Sequence, residues 1–271
     1  MELKSARISL ASTRVYFLDG GTFQQDQSIV TFAIGAGQKV WSQVYSIYVD
    51  HPEAKIMIET GMDPALWSPM LRQILVPKQS PEQRLDNSLK KLGVSPEDID
   101  VVINTHLHAD HCSFNRLFKN ATWIVNRKEL QEALVPEPFE ITYFRPCFDV
   151  GLGKKLIEGD YSVVKGIEIL NTHGHTAGHV SVSVETEGSG TFLFTGDASM
   201  TKENFWGSER TSPMGWPCAP CLDQRAYMRS LERMRSYVES TKARTAKTCS
   251  PIYSHDPDEF NRWKQAPFAY K

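Results

Sequence analysis

The sequence lacks long apolar runs, a strong net charge and an even set of cysteines. No apolar segment approaches the roughly 18 residues of a membrane-spanning helix. Thirty Lys and Arg residues balance 32 Asp and Glu residues, for a formal net charge of −2, and no basic stripe indicates nucleic-acid binding. The N-terminal residues do not resemble a secretory signal, and five cysteines favour reduced thiols over a disulfide framework. We therefore expect a cytoplasmic globular protein that binds neither membranes nor nucleic acids.

The pattern of apolar residues predicts a mixed α/β chain. No repeat or flexible linker divides the 271 residues, so we expect a single domain that spans residues 1–271. Alternating and β-branched runs predict strands at 14–18, 28–34, 44–49, 55–59, 101–103, 122–125, 167–170, 180–184, 191–194 and 251–253. Start and stop signals predict helices at 80–93, 127–134 and 223–240, with one short turn at 95–98 and an irregular stretch at 136–159.

Histidine is concentrated after the predicted strand 101–103. His106, His108, Asp110 and His111 stand within six residues of one another. On a tight loop such side chains can converge on two cations a few ångströms apart. A solvated polar loop is the alternative interpretation, but other strand ends deliver residues of the same kind.

Three further ligand-type residues follow predicted strands, namely His175, Asp197 and His255. Together with the first cluster they make five histidines and two aspartates. Seven ligands are too many for one tetrahedral zinc ion and suit two metal ions that share a bridging carboxylate. The sequence therefore predicts a dinuclear metal centre.

The motif His-x-His-x-Asp-His at 106–111, followed by Gly-His-Thr-x-Gly-His at 174–179 and Thr-Gly-Asp at 195–197, resembles the metallo-β-lactamase superfamily. The resemblance covers nearly the whole chain. It is greatest to the lactonase branch, whose members open acyl-homoserine lactones and related cyclic esters. It implies an α/β fold of the four-layer αβ/βα sandwich type, with the metals at one edge between the sheets.

The resemblance also implies a role for each ligand. One metal would be held by His106, His108 and His175, the other by Asp110, His111 and His255, with Asp197 bridging the two. Zinc is the default, although iron, manganese, cobalt and nickel accept the same ligands. Attack would come from a metal-bridging hydroxide, with Asp110 as the catalytic residue that takes and returns the proton.

Features of other branches of the superfamily disfavour several functions for this sequence. Antibiotic-degrading members usually carry Cys at the Asp197 position and a secretory signal, flavodiiron members carry Glu in the first cluster, and glyoxalase II adds a C-terminal helical region. The leading interpretation is a hydrolase of a small cyclic ester or amide. The alternatives are an acyl-homoserine lactonase, a thioester hydrolase of the glyoxalase II type, a phosphodiesterase using the same centre, and a silent metal-binding protein, which the complete ligand set disfavours.

Two departures from the lactonase pattern bear on the substrate. Met200 stands where these lactonases usually place a Tyr that binds the substrate carbonyl, and a thioether cannot donate a hydrogen bond. The candidates for replacing this Tyr are Tyr227, Tyr253 and His173. The second departure is an aromatic-rich insertion at about 200–221.

The insertion carries Phe205, Trp206, Met214 and Trp216, which predict a flat apolar pocket beside the metals. Such a pocket suits a compact lactone, or a lactam or carbamate fused to an aromatic ring, as in benzoxazolinone. The alternative is that this loop packs against a second copy of the chain in a homodimer.

Three other residues have two interpretations each. Glu59 could orient a ligand imidazole or simply cap a strand end. Cys218 and Cys221 have the spacing of a metal knuckle or a redox pair, but no second pair completes a zinc ribbon, so we expect two reduced loop thiols.

Overall fold

The computed structural model describes residues 13–271 and builds two sheets from its strands. The strands are β1 (Arg14–Asp26), β2 (Lys39–His51), β3 (Ala54–Ile58), β4 (Val76–Lys78), β5 (Val101–Ile103), β6 (Thr122–Asn126), β7 (Gly153–Ile157), β8 (Tyr161–Val164), β9 (Ile167–Asn171), β10 (Val180–Glu185), β11 (Thr191–Phe194) and β12 (Cys249–Ile252). One sheet has seven strands in the order β4-β1-β2-β3-β5-β6-β7, and the other has five in the order β12-β11-β10-β9-β8.

The helices lie outside the sheets and range from single turns to one long helix. They are α1 (Gln27–Val30), α2 (Pro69–Ile74), α3 (Leu85–Lys91), α4 (Ala109–Cys112), α5 (Arg127–Leu134), α6 (Arg145–Phe148), α7 (Lys202–Trp206), α8 (Gln224–Thr245) and α9 (Pro257–Phe260). Within residues 13–271, no helix has both the length and the apolar character to cross a membrane.

Three apolar clusters show how the layers stack. Phe17, Ile47 and Val182 belong to the cluster that fills the space between the two sheets. A second cluster covers the outer face of the seven-stranded sheet with helices and loops, and a third packs Leu231 and Met234 of α8 on the five-stranded sheet. Three interfaces separate four layers, so the expected αβ/βα sandwich is confirmed.

The predicted strand at 28–34 is wrong. β1 continues to Asp26 instead, and the Asp26 side chain accepts a hydrogen bond from the backbone of Ser28, which starts the short helix α1. Gly35 and Gly37 then adopt φ values of +75° and +84°, which turn the chain back into β2. The helix cap at Asp26 and the turn at the two glycines, and not the apolar pattern, thus determine the conformation of this segment.

Two other predictions need correction. The predicted helix at 80–93 is split, because Arg84 is extended between a 3-10 turn at Pro81–Gln83 and α3. The Gln83 side chain closes that turn by accepting from Ser80 and also donates to Asp19, which holds it apart from α3. The stretch at 136–159 is not wholly irregular, because α6 and the exposed edge strand β7 lie within it.

The sheet topology brings the ligand-bearing loops together. β3 and β5 are parallel neighbours, as are β11 and β12. Neighbouring parallel strands end at the same edge of a sheet, where α/β proteins place their sites. Glu59, His106, Asp197 and His255 each follow one of these four strands.

Candidate metal centre

The loop after β5 presents its ligands in two directions because its conformation changes within it. His108 is extended, and α4 begins immediately after it. The turn of α4 therefore aims Asp110 and His111 away from the direction of His106 and His108. The backbone amide of Leu107 donates to Oε1 of Glu129 at 2.8 Å, which fixes the loop between the two histidines.

Three imidazole nitrogens converge on one point. Nδ1 of His108 lies 3.1 Å from Nε2 of His106 and 3.2 Å from Nε2 of His175. Oδ2 of Asp197 lies 3.3 Å from the same nitrogen of His175. A tetrahedral ion with bonds of about 2.0–2.1 Å would separate its ligand atoms by about 3.3–3.4 Å. These four side chains fit a metal ion well.

A second group forms on the other side of Asp197. Oδ1 of Asp197 lies 3.2 Å from Nε2 of both His111 and His255. Oδ2 of Asp110 lies 3.4 Å from the same two nitrogens. The two oxygens of Asp197 thus face different groups of ligands, which is the arrangement that a bridging carboxylate needs.

The pKa shifts of His108, His175 and Asp197 suit the binding of a cation. Burial lowers the pKa of His108 to about 4 and that of His175 to about 3, so both imidazoles keep a free lone pair at neutral pH. Burial alone would raise the pKa of Asp197, but the facing imidazoles of His255 and His111 hold it well below its usual value. Nε2 of His111 and Oδ1 of Asp197 are buried without a hydrogen-bond partner. One ion in the second ligand group would satisfy both of these polar atoms.

Most of the imidazoles are oriented from behind by an oxygen atom. Nδ1 of His106 contacts the hydroxyl of Thr105 at 3.0 Å, and Nδ1 of His255 contacts a backbone carbonyl at 2.7 Å, that of Gln43. Nδ1 of His111 lies 3.5 Å from Glu59 Oε1, so Glu59 is placed to orient an imidazole. Such partners fix the ring and expose the other nitrogen to the metal.

Glu129 is a buried carboxylate that the sequence analysis missed. Besides the amide of Leu107, its side chain accepts hydrogen bonds from the hydroxyls of Tyr143 and Thr176. It therefore connects the loop of His106 with the loop of His175. Glu129 lies on a helix whose sequence pattern gives no sign of this role, because the contacts join residues far apart in the chain.

An apolar cavity of about 460 Å³ opens from the ligands. His108, Asp110 and Asp197 lie at its polar end. Its walls are mainly apolar and include Phe23, Ile29, Leu71, Ile74, Leu75, Phe139, Ile141, Met200 and Leu222. This shape and lining suit a small molecule with a polar reacting group and an apolar tail.

The predicted aromatic pocket from segment 200–221 is wrong. Phe205 is fully buried in the core beneath α8, and Trp206 donates a hydrogen bond to the hydroxyl of Tyr253. Trp216 donates to the backbone of Phe32, and Met214 is 59% exposed away from the cavity wall. None of the four side chains lines the cavity, because the three aromatic residues pack or donate elsewhere and Met214 is exposed to solvent.

None of the three candidates for the missing tyrosine lines the cavity. Tyr227 is fully buried, His173 is exposed elsewhere, and the hydroxyl of Tyr253 is the acceptor for Trp206. Met200 itself does line the cavity. The structure thus places a thioether at this point of the wall.

The fold and the buried groups of His and Asp side chains are those of a metal-dependent hydrolase. A family model described as the metallo-β-lactamase superfamily matches residues 40–242, and the chain belongs to this superfamily, in its lactonase-like branch. It is 37% identical to an N-acyl homoserine lactonase of Bacillus cereus over 236 residues, covering 84% of this chain and 90% of the relative. It is 30% identical to the N-acyl homoserine lactonase AttM of Rhizobium radiobacter over 275 residues, covering 96% and 100%.

A solved structure supports the same grouping. It is an N-acyl homoserine lactone hydrolase with the product N-hexanoyl-L-homoserine bound at its catalytic metal centre. The two chains share 31% identity and superpose with a TM-score of 0.82 over 95% of this chain and 98% of that chain. The prediction of a hydrolase of the lactonase type is thereby confirmed.

Proposed function

We propose that the protein hydrolyses N-acyl homoserine lactones at a centre of two divalent metal ions, with zinc as the first assignment. The observation that carries this proposal is the position of Asp197, whose two oxygens face two ligand groups at the polar end of an apolar cavity. The relatives named above act on the same class of lactone. One ion would be held by His106, His108 and His175, and the other by Asp110, His111 and His255, with Asp197 shared.

In this proposal the metal ligands hold the ions that activate water, and the cavity binds the lactone. When bound, the two ions would lower the pKa of a water molecule and polarise the lactone carbonyl. Asp110 lines the cavity at its polar end. In this proposal its carboxylate takes a proton from the attacking water and returns it to the ring oxygen as the ring opens.

The walls of the cavity favour an acyl chain over a flat fused ring. Leu71 and Leu75 contribute aliphatic surface, and Phe139 and Ile141 come from the loop before α6. The aromatic side chains that suggested a ring-fused lactam lie outside this wall. An acyl chain would bury its methylene groups here, at about 0.8 kcal/mol for each one.

The test is a substrate panel on protein whose metal content has been measured. N-Hexanoyl homoserine lactone should give the highest kcat/KM, above an aryl lactone, benzoxazolinone and a thioester. Preference for benzoxazolinone, or no ring opening with two metals bound per chain, would overturn the proposal. Removal of the metals by a chelator should abolish turnover, and two equivalents of zinc should restore it.

Two variants separate catalysis from general damage. Asp110→Asn should lower kcat by about a hundredfold or more, because the amide cannot carry the proton. Asp149→Asn is the matched control, since this aspartate is exposed and pairs with a surface arginine, Arg145. Equal activity of the two variants would remove Asp110 from the mechanism.

A further inference from the structure

Cys218 and Cys221 form a close dithiol pair in the wall of the substrate cavity. Their Sγ atoms lie 2.9 Å apart, and Cys221 lines the cavity. Cys218 is fully buried, whereas Cys221 is partly exposed. The pair therefore has one sulfur within reach of dissolved reagents and a buried partner beside it.

The other cysteines are less accessible. All five cysteines are free thiols. Cys112, Cys147 and Cys249 are buried, as is Cys218. Oxidation of a thiol depends on its exposure and on a neighbouring thiol that can resolve the first product. Cys221 meets both conditions.

The pair also contacts a metal-ligand side chain. Sγ of Cys218 lies 3.6 Å from Nδ1 of His175, the ring nitrogen opposite the one that faces the ligand cluster. When Nε2 of a neutral imidazole binds an ion, Nδ1 carries the proton and donates it, here to sulfur. His106, His111 and His255 have oxygen atoms at the corresponding nitrogen, so His175 differs from them in having an oxidisable partner.

The backbone couples the two loops tightly. The amide of Leu222 donates to the carbonyl of His175 at 3.0 Å, and that of Asp223 donates to Gly174 at 2.9 Å. A change in the conformation of the Cys218–Cys221 turn would therefore shift the position of the His175 imidazole.

We propose that Cys218 and Cys221 are a modification site, at which a small peroxide forms a reversible disulfide that weakens the hold of His175 on its metal. Disulfide formation would stand without the proposed lactonase activity, while the effect on metal binding rests on the proposed ligand set. The Sγ–Sγ separation must shorten from 2.9 Å to about 2.05 Å, and Cys218 loses its thiol proton, so the contact between Cys218 and Nδ1 of His175 changes.

The reaction balances in two steps. The Cys221 thiol attacks one oxygen of hydrogen peroxide, the O–O bond breaks, and a sulfenic acid and one water form. Sγ of Cys218 then attacks the Cys221 sulfur, the S–O bond breaks, and the hydroxyl leaves with the Cys218 proton as a second water. Two thiols are oxidised and one peroxide is reduced. A dithiol reductant reverses the change.

The test uses reduced, metal-loaded protein treated with hydrogen peroxide, followed by alkylation of the remaining thiols and peptide mass analysis. Peptide 211–225 should lose two hydrogens and escape alkylation. Affinity for one of the two metals should fall about tenfold, as measured by competition with a chelator, and dithiothreitol should restore it. These readouts require no substrate, so failure of the proposed lactonase activity would not obscure them.

Two variants complete the test. Cys221→Ser keeps Cys218 beside His175 but removes its partner, so its metal affinity should not respond reversibly to peroxide. Cys249→Ser alters a buried cysteine in β12 and should respond like the wild type.

Four results would overturn the proposal. These are an intact dithiol after treatment, a disulfide without change in metal affinity, a loss traced to Cys112 and Cys147, and a third metal in the reduced protein that disappears in Cys221→Ser. The last result would make the cysteines, together with His175, a thiolate metal site, since their ligand atoms lie within 4.8 Å of one another.

Discussion

Glu59 lies directly behind His111, with 3.5 Å between Oε1 and Nδ1. The same oxygen accepts a hydrogen bond from the amide of Thr105 at 3.0 Å, so Glu59 also fixes the start of the loop that carries His106. Glu59 is buried and adopts φ of +61°, a conformation that an ordinary strand end does not require. Its position therefore supports the orienting role over simple capping.

Replacement of this carboxylate should weaken metal binding. We expect Glu59→Gln to lower affinity for one metal about 10- to 100-fold, because the amide is a poorer acceptor for the imidazole N–H. Competition with a chelator measures the change, and excess zinc should recover much of the activity. Glu53→Gln is the control, since Glu53 is exposed in the turn before β3. Unchanged metal affinity in Glu59→Gln would reduce Glu59 to a structural role.

Met200 offers a test of the missing hydroxyl. Met200→Tyr should raise kcat/KM for N-hexanoyl homoserine lactone about tenfold, because a hydroxyl in the cavity wall can donate to the lactone carbonyl, and one hydrogen bond contributes about 1–1.5 kcal/mol. Met200→Phe supplies the same ring without the donor and should show no gain. Equal gains in both variants would point to packing as the cause.

Phe139 should influence the preference for acyl-chain length. It lines the cavity yet is 76% exposed, so an occupying chain could cover it. Phe139→Ala should raise KM about fivefold for the decanoyl lactone, a loss of about 1 kcal/mol of apolar contact, and much less for the butanoyl lactone. Val135→Ala is the control, because Val135 is 83% exposed and does not line the cavity. The same KM change for both chain lengths would contradict the proposed path of the chain.

Glu129 should contribute a pH-dependent term to stability. Burial raises its pKa from 4.5 to about 7, outweighing three hydrogen bonds that favour the charged form. The folded state thus binds the proton more tightly than the unfolded chain. The free energy of unfolding should therefore fall as the pH rises between those two values.

Glu129→Gln removes this titration. Between pH 4.5 and pH 7, the free energy of unfolding of the wild type should fall by about 2–3 kcal/mol more than that of the variant. Denaturant unfolding at equal metal content measures this difference. Glu137→Gln alters an exposed carboxyl on the nearby loop and should keep the slope of the wild type. Parallel curves for wild type and Glu129→Gln would show that the carboxyl stays ionised in the fold.

The sequence predicted the seven ligand-type residues because each lies in a local motif or directly after a strand. His106 and His111 stand in one six-residue motif, and Asp197 follows a short apolar strand that any reading of the pattern detects. The supporting contacts were not predictable in this way. His255 contacts the carbonyl of Gln43 across 212 residues, and a backbone carbonyl leaves no trace in residue type.

The same contrast explains the errors. The apolar run at 28–34 carries strand-like residues, but a cap at Asp26 and two glycines decide its conformation. The aromatic residues of 200–221 predicted a pocket by composition, whereas Phe205 packs beneath α8, which begins beyond that segment. Composition shows that a side chain will be buried, but not against which partner.

By itself, the sequence determined the mixed α/β pattern and the identity of the residues able to act as metal ligands, because both depend on local periodicity and on short motifs at strand ends. The sandwich arrangement of the layers was implied by the resemblance to the superfamily. Only the tertiary structure decided which oxygen of Asp197 faces which histidines, which side chains wall the cavity and that Cys218 lies against His175. Those relationships join residues distant in the chain, and the packing of the two sheets and their helices fixes them.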